Sequence, residues 1–287
     1  MTEQTNDVVN IEAVDETGPV LVLGGTGKTG RRVVERLTGR GVPVRVGSRS
    51  GEPRFDWNDR STWAPVLEGM AAVYVAYYPD LALPGSDEVI RELCSVAPAA
   101  GADRIVLLSG RGEEEAEAAE QVLKDSGAGW TVVRADWFAQ NFSEDWLLES
   151  VLSGEVELPA GDVPVPFVDA WDVADVAVAA LTEEGHAGRT YELSGPRAMT
   201  FAEAIGEIAA ASGRPVTFRE VSIERFTEDL QRADVPGEVV GLLTYLFSTV
   251  LDGRNARPAD GVRQALGREP RDFADYARET AATGVWS

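Results

Sequence analysis

Pro19-Val-Leu-Val-Leu-Gly-Gly-Thr-Gly-Lys-Thr-Gly30, continuing as Arg31-Arg-Val-Val-Glu-Arg-Leu37, decides the fold of this chain. Val20 to Leu23 is a short apolar run of the kind that forms a strand buried on both faces. Glycines follow at Gly24, Gly27 and Gly30, and then Val33, Val34 and Leu37 recur at helical spacing. A buried strand, a tight glycine turn and an amphipathic helix make the first half of a βαβ unit. A dinucleotide pyrophosphate can rest on the free N–H groups that open such a helix, and side chains at the glycine positions would hold it off. The Gly27-Lys28-Thr29 step also invites comparison with a nucleoside-triphosphate loop. That loop needs a glycine five residues before Gly27, and Val22 stands there. The triphosphate reading fails.

The Gly-x-x-Gly-x-x-Gly spacing, with Thr26 inside it, resembles the short-chain dehydrogenase/reductase superfamily in its extended or atypical branch. The resemblance implies that Gly24, Thr26, Gly27, Lys28, Thr29 and Gly30 cradle the cofactor. Pro43-Val-Arg-Val-Gly-Ser48 reads as the second strand, and its end selects the cofactor. A carboxylate there suits the ribose 2′-hydroxyl of NAD, whereas an arginine suits the 2′-phosphate of NADP. Ser48 and Arg49 hold the place, with Glu52 slightly beyond, so NADP(H) is expected and NAD(H) stays open. Arg54-Phe-Asp-Trp57 reads as a short third strand. In the superfamily an aspartate after this strand contacts the adenine amine, which implies Asp56, with Trp57 beside it.

Composition bounds the rest. At 287 residues and 44% hydrophobic, the chain has core enough for one large domain or two smaller units. No apolar run approaches a membrane span, and Met1-Thr-Glu-Gln-Thr-Asn6 lacks the basic and apolar segments of a signal peptide, so a cytoplasmic protein is expected. Cys94 is the one cysteine; it offers no disulfide framework and reads as a small core residue. The net charge of −22 repels nucleic-acid phosphates and anionic membranes, and neither is expected as a partner. Residues 1–17 carry Glu3, Asp7, Glu12, Asp15 and Glu16 with no basic residue, and read as a disordered acidic leader.

Further along, Met70 to Ala76 reads as the fourth strand, opening into Tyr77-Tyr-Pro-Asp80. Loops at the C-terminal ends of parallel strands line the ligand crevice, which makes Ala76 and Tyr77 cofactor candidates and Tyr78 a substrate candidate. Arg104 to Ser109 is the fifth strand and Trp130 to Arg134 the sixth. The glutamates from Glu113 to Glu120 between them read as the solvated face of a helix, its acidic front suited to the positive helix terminus. Asp169, Asp172 and Asp175 accompany a helix to Leu181 and read as structural, and no metal site is expected. His186, the sole histidine, reads as a loop residue before a strand at Arg189 to Leu193, which removes Ser-His-Asp catalysis. Thr200-Phe-Ala-Glu203 is a capping box for a helix over 201–212. Glu238 to Leu251 is strongly apolar and reads as core that also walls the substrate pocket.

Leu107-Leu-Ser-Gly110, Ala119-Glu-Gln-Val-Leu123, Trp130-Thr-Val-Val-Arg134, Trp137-Phe-Ala-Gln-Asn-Phe142, Val173-Ala-Asp-Val-Ala177 and the closing Leu266 to Phe273 together resemble the NmrA-like atypical short-chain reductases. That group includes quinone reductases, ether and isoflavone reductases, dye-reducing enzymes and catalytically silent NADP sensors. The resemblance implies an α/β fold: a Rossmann-type doubly wound parallel sheet over 18–154, and a smaller C-terminal α/β substrate-binding part over 155–287 in one compact unit with it. It implies an NAD(P)H-dependent oxidoreductase, ketoreductase or quinone reductase in type, passing hydride to a carbonyl of a bulky aromatic small molecule. The second reading is a silent NADP sensor. Ser109, with Gly110, stands where the superfamily keeps its active-site serine, and Asn141 near the nicotinamide. Trp137, Phe138 and Phe142, with Tyr78, would wall the substrate. Two departures count: Ala135 replaces the proline common after the sixth-strand arginine, and no tyrosine has a lysine four residues on. Without that acid pair, the substrate or an ordered water is the expected proton source, with Ser109 only orienting. The oligomeric state stays open.

Overall fold

The computed structural model describes residues 18–287, so the acidic leader expected over 1–17 lies outside the described residues. In chain order the elements are β1 (Val20–Leu23), α1 (Lys28–Gly39), β2 (Val44–Gly47), α2 (Trp63–Leu67), β3 (Ala72–Val75), α3 (Ser86–Ala99), β4 (Arg104–Gly110), α4 (Glu114–Lys124) and β5 (Gly129–Ala135). The chain continues through α5 (Asn141–Glu144), α6 (Leu147–Ser153), β6 (Glu155–Leu158), α7 (Ala170–Thr182), β7 (Arg189–Leu193), α8 (Phe201–Ser212) and β8 (Thr217–Glu220). It closes with α9 (Ile223–Arg232), α10 (Gly237–Tyr245), a π-helical turn at Leu246–Val250, α11 (Gly261–Leu266) and α12 (Phe273–Ala282).

Six parallel strands form the main sheet in the order β2-β1-β3-β4-β5-β7. Every residue of β1 and β3 is buried, because helices cover both faces. Val20, Val22 and Tyr74 face α1 and α7, while Leu21, Leu23, Val73 and Val75 face α2, α3 and α4. The chain leaves β1 outward to β2 and returns across it to β3. That reversal opens a crevice above the C-terminal ends of β1 and β3, where a doubly wound sheet binds its ligand.

Arg54–Trp57 is not a strand, which corrects the sequence reading and makes Ala72–Val75 the third strand. Its backbone groups are satisfied locally: Asp56 N–H donates to Thr62 Oγ1, and the Asp56 carbonyl accepts from Trp63 Nε1. No ladder is left to pair. The boundary expected at residue 154 is likewise not a boundary of the sheet, since β7 pairs with β5 and α7 packs beside α1 on the same face. What stands apart is a two-stranded sheet, β6 with β8, around a second core centred on Phe142, Phe167, Phe201, Phe247 and Phe273. Fully buried Asp172 ties the two parts, accepting from Arg268 at 2.7 Å and from the Arg271 N–H at 2.7 Å. Asp175 extends the tie to Arg36 of α1.

Candidate cofactor and active site

The glycine turn bends sharply at Gly24, whose φ of +76° suits glycine. A side chain there would also strike the Ala76 carbonyl, 2.8 Å from a Cβ. Gly30 is tighter still, since a Cβ would lie 2.2 Å from the Gly24 oxygen. Gly27 opens α1 in extended conformation with no side chain to cap it. The first-turn N–H groups of a helix have no partner within it, so the turn offers backbone donors at the C-terminal end of β1. This cradle fits a pyrophosphate. Thr26 and Gly27 are exposed there, whereas Thr29 is buried and its hydroxyl pairs with Tyr74 at 2.9 Å. Only the backbone of Thr29 can serve a ligand.

At the β2 end, Arg49 is exposed and Ser48 half-buried. The Asn58 N–H and Arg54 hold the Asp56 carboxyl below the usual aspartate range, with Arg49 adding positive charge. Asp56 is thereby engaged in its own turn. Trp57 packs edge-on against Tyr77 with ring centres 5.0 Å apart, so the loops after β2 and β3 meet in one aromatic wall beside the crevice.

Lys28 reaches from the first turn of α1 to Asn141, 2.6 Å, and Asp145, 2.5 Å, and lies 5.7 Å above the Phe138 ring. Asp145 is the extended residue that separates α5 from α6. The break in the helix therefore supplies the carboxylate that anchors the glycine turn.

Ser109 differs from its expected role. It faces the α4 side of the sheet, is buried, and donates its hydroxyl to Glu120 at 2.7 Å. Glu120 also holds Arg134, at 2.6 and 2.8 Å, and Lys124 at 3.0 Å. Ser109 thus belongs to a buried ion network rather than to the crevice. The aromatic residues expected around a substrate also divide. Phe142 is fully buried among Phe167, Phe201 and Phe273 and is core, not pocket wall. Tyr78 stands 72% exposed. Trp137 is half-buried against Phe201 and Phe247 and lines a small cavity with Asp136, Val165, Val250, Leu251 and Asn255. Phe138 lies on the other side, under Lys28. A larger groove of about 260 Å³ between α1, α5, α7 and α12 is lined by Glu144, Asp169 and Glu279, and its one arginine, Arg32, is paired to Glu144, a poor setting for phosphate.

Sequence reasoning missed the acids at the ends of β3, β4 and β5. Glu113 precedes α4 in extended conformation without capping it. Its carboxyl folds back over Gly110, so a Cβ on Gly110 would meet it at 2.1 Å. Burial, with the negative charges of Asp80, Glu115, Asp136 and Glu120, pushes Glu113 up to about 8. Burial pushes Asp136 up to about 6 against its bonds from the Trp137 N–H and Arg111. Asp80 is raised by burial as well. The Gly110-Arg-Gly112 step was the available sign, because two glycines loosen the chain before the helix and let the first glutamate turn inward. Among the described residues, no group of three or more His, Cys, Asp or Glu could hold a metal ion, and no helix is long and apolar enough to cross a membrane.

A protein-family profile described as NAD(P)H-binding matches residues 24–184. The chain is 34% identical over 283 residues to (4-alkanoyl-5-oxo-2,5-dihydrofuran-3-yl)methyl phosphate reductase of Streptomyces griseus subsp. griseus, covering 91% of this chain and 98% of that protein. Among solved structures it resembles an NADPH-dependent quinone oxidoreductase of Escherichia coli complexed with NADPH, with a TM-score of 0.76 and 21% identity over 91% of this chain and 99% of the other. It also resembles NmrA, a negative transcriptional regulator, in complex with NAD, with a TM-score of 0.70 and 16% identity over 93% and 98% of the two chains.

Proposed function

The chain belongs to the NAD(P)H-binding family, and from that premise we propose that it is an NADPH-dependent reductase acting on a ketone or quinone carbonyl of a bulky aromatic small molecule. The observation that carries the oxidoreductase reading is likeness over nearly the full length to a reductase, at 34% identity. Gly24, Gly27 and Gly30 with the open N–H groups of α1 would hold the pyrophosphate, and Arg49 the 2′-phosphate of NADPH. When bound, the cofactor supplies hydride. The half-buried ring of Trp137, just past the C-terminal end of β5, supports an aromatic substrate, since apolar walls take apolar ligands.

A second reading is a non-catalytic NADP sensor, favoured by the missing Tyr-x-x-x-Lys pair. The deciding experiment follows NADPH oxidation against a panel of quinones and polycyclic ketones, with NADPH and NADH binding measured in parallel. Turnover on any member supports the reductase. Tight NADP(H) binding without turnover on any of them leaves the sensor.

A further inference from the structure

We infer that Glu113 is the proton donor of this site: its carboxyl, lying over Gly110 at the C-terminal end of β4, protonates the substrate carbonyl oxygen as hydride reaches the carbon. This rests on the reductase reading and replaces the substrate or a water as the proton source.

Three observations support it. The first is position, because the ends of β3, β4 and β5 border the crevice of a doubly wound sheet, and Glu113 is held there by its fold-back over Gly110. The second is availability. The Ser109 hydroxyl is committed to Glu120, and Asp136 is engaged by Arg111 and the Trp137 N–H. The Glu113 carboxyl makes no side-chain hydrogen bond among the described residues. The third is charge state. Asp80 faces Glu113 from the loop after β3, Asp136 from the end of β5, and Glu115 and Glu120 from α4. Tyr245 of α10 lies close by. The nearby cations are paired: Arg111 to Asp136 and Glu192, and Arg254, which also donates to the Gly112 carbonyl, to Asp252. Burial and this negative ring keep the proton on Glu113 to about pH 8, so at neutral pH it is an acid able to donate.

The step balances. The carbonyl carbon accepts hydride from NADPH, which leaves as NADP⁺, and the C=O π pair moves onto oxygen. That oxygen forms its O–H bond as the Glu113 O–H bond breaks. From a ketone the product is an alcohol; from a quinone it is a hydroxydienone, which becomes the hydroquinone as the transferred hydrogen leaves its carbon as a proton and the far carbonyl oxygen takes one up. The Glu113 carboxylate takes its next proton from water.

The test uses the full chain with NADP⁺ bound and ¹³C at the glutamate carboxyl carbons, the Glu113 resonance being assigned by its loss in Glu113→Gln. That resonance should titrate near pH 8, and titration in the ordinary glutamate range overturns the proposal whatever the turnover. On whichever panel compound is reduced, Glu113→Gln should lose about 100-fold or more in kcat at unchanged NADPH affinity. It should also lose the fall in rate that the wild type shows above about pH 8. Glu113→Ala should be partly rescued by formic acid. Full activity with an unchanged pH profile in both variants, while the wild type turns over, overturns the donor role alone. NADPH binding with no wild-type turnover on any compound overturns the reductase reading and the donor role together.

Discussion

Arg49 is where one side chain decides the cofactor. An exposed guanidinium at the end of β2 can form a charge-assisted bond to a 2′-phosphate, worth about 1.5–3 kcal/mol. Arg49→Ala should therefore weaken NADPH by roughly ten- to a hundredfold and leave NADH within about twofold, as titration of both cofactors would read out. Equal loss for both would refute the assignment. Ser109 teaches the opposite lesson. Removing its hydroxyl takes one donor from fully buried Glu120, so Ser109→Ala should cost about 1–2 kcal/mol of stability while kcat stays within about threefold. Loss of turnover at normal NADPH affinity would return Ser109 to the chemistry. Glycine spacing and the arginine after β2 were legible because they are properties of one short stretch. The direction of the Ser109 hydroxyl and the inward fold of Glu113 were not, because each depends on groups brought there by other elements. The run of glutamates looked like one solvated face, although Glu120 of α4 is fully buried and Glu113 turns back before the helix begins.

At the scale of elements, the continuous apolar runs of β1, β4 and β5 were legible, since strands covered on both faces need no alternation. The segment 54–57 misled for the same reason: Phe55 and Trp57 look like strand residues, yet their apolar rings cluster with Trp63 while the backbone turns. The aromatic stretch Trp137 to Phe142 was read as one wall. The turn after β5 instead distributes it, sending Phe142 into the second core, Phe138 under Lys28, and Trp137 toward the π-helical turn. Trp137 is thus the remaining candidate for substrate contact from that stretch. Trp137→Ala should raise KM by about tenfold or more with NADPH affinity nearly unchanged. Its loss of packing on Phe201 and Phe247 should also cost about 2–4 kcal/mol, so the kinetics need a temperature well below the variant's unfolding midpoint. An unchanged KM in the folded variant would make Trp137 a packing residue only.

Across the whole molecule, the doubly wound class could be read in advance, but the return of β7 to the main sheet could not, because residues 155–193 carry no local mark of which sheet they join. The acids set how the assembled chain responds to pH. Arg134 and Ser109 hold Glu120 below the ordinary glutamate value despite its burial, and Arg197 does the same for Asp272. Depressed groups of this kind contribute stability above their unfolded pKa and lose it as pH falls through the folded one. Glu113 and Asp136 act in reverse. Their folded values, about 8 and about 6, lie above the unfolded ones, so their contribution is complete below pH 4 and declines as pH rises through each. Between pH 6 and 8 the folded chain keeps the proton on Glu113 that the unfolded chain has already lost. Stability without cofactor should therefore peak on the acid side of neutrality and fall from pH 6 to 8, by up to about 1.4 kcal/mol per pH unit. Glu113→Gln should flatten that decline and leave the acid limb in place. Thermal midpoints measured from pH 4 to 9 at constant ionic strength would show both effects. A wild-type midpoint that rises from pH 6 to 8 would mean that Glu113 is ionised in the folded chain, and a decline that survives in Glu113→Gln would assign it to another group.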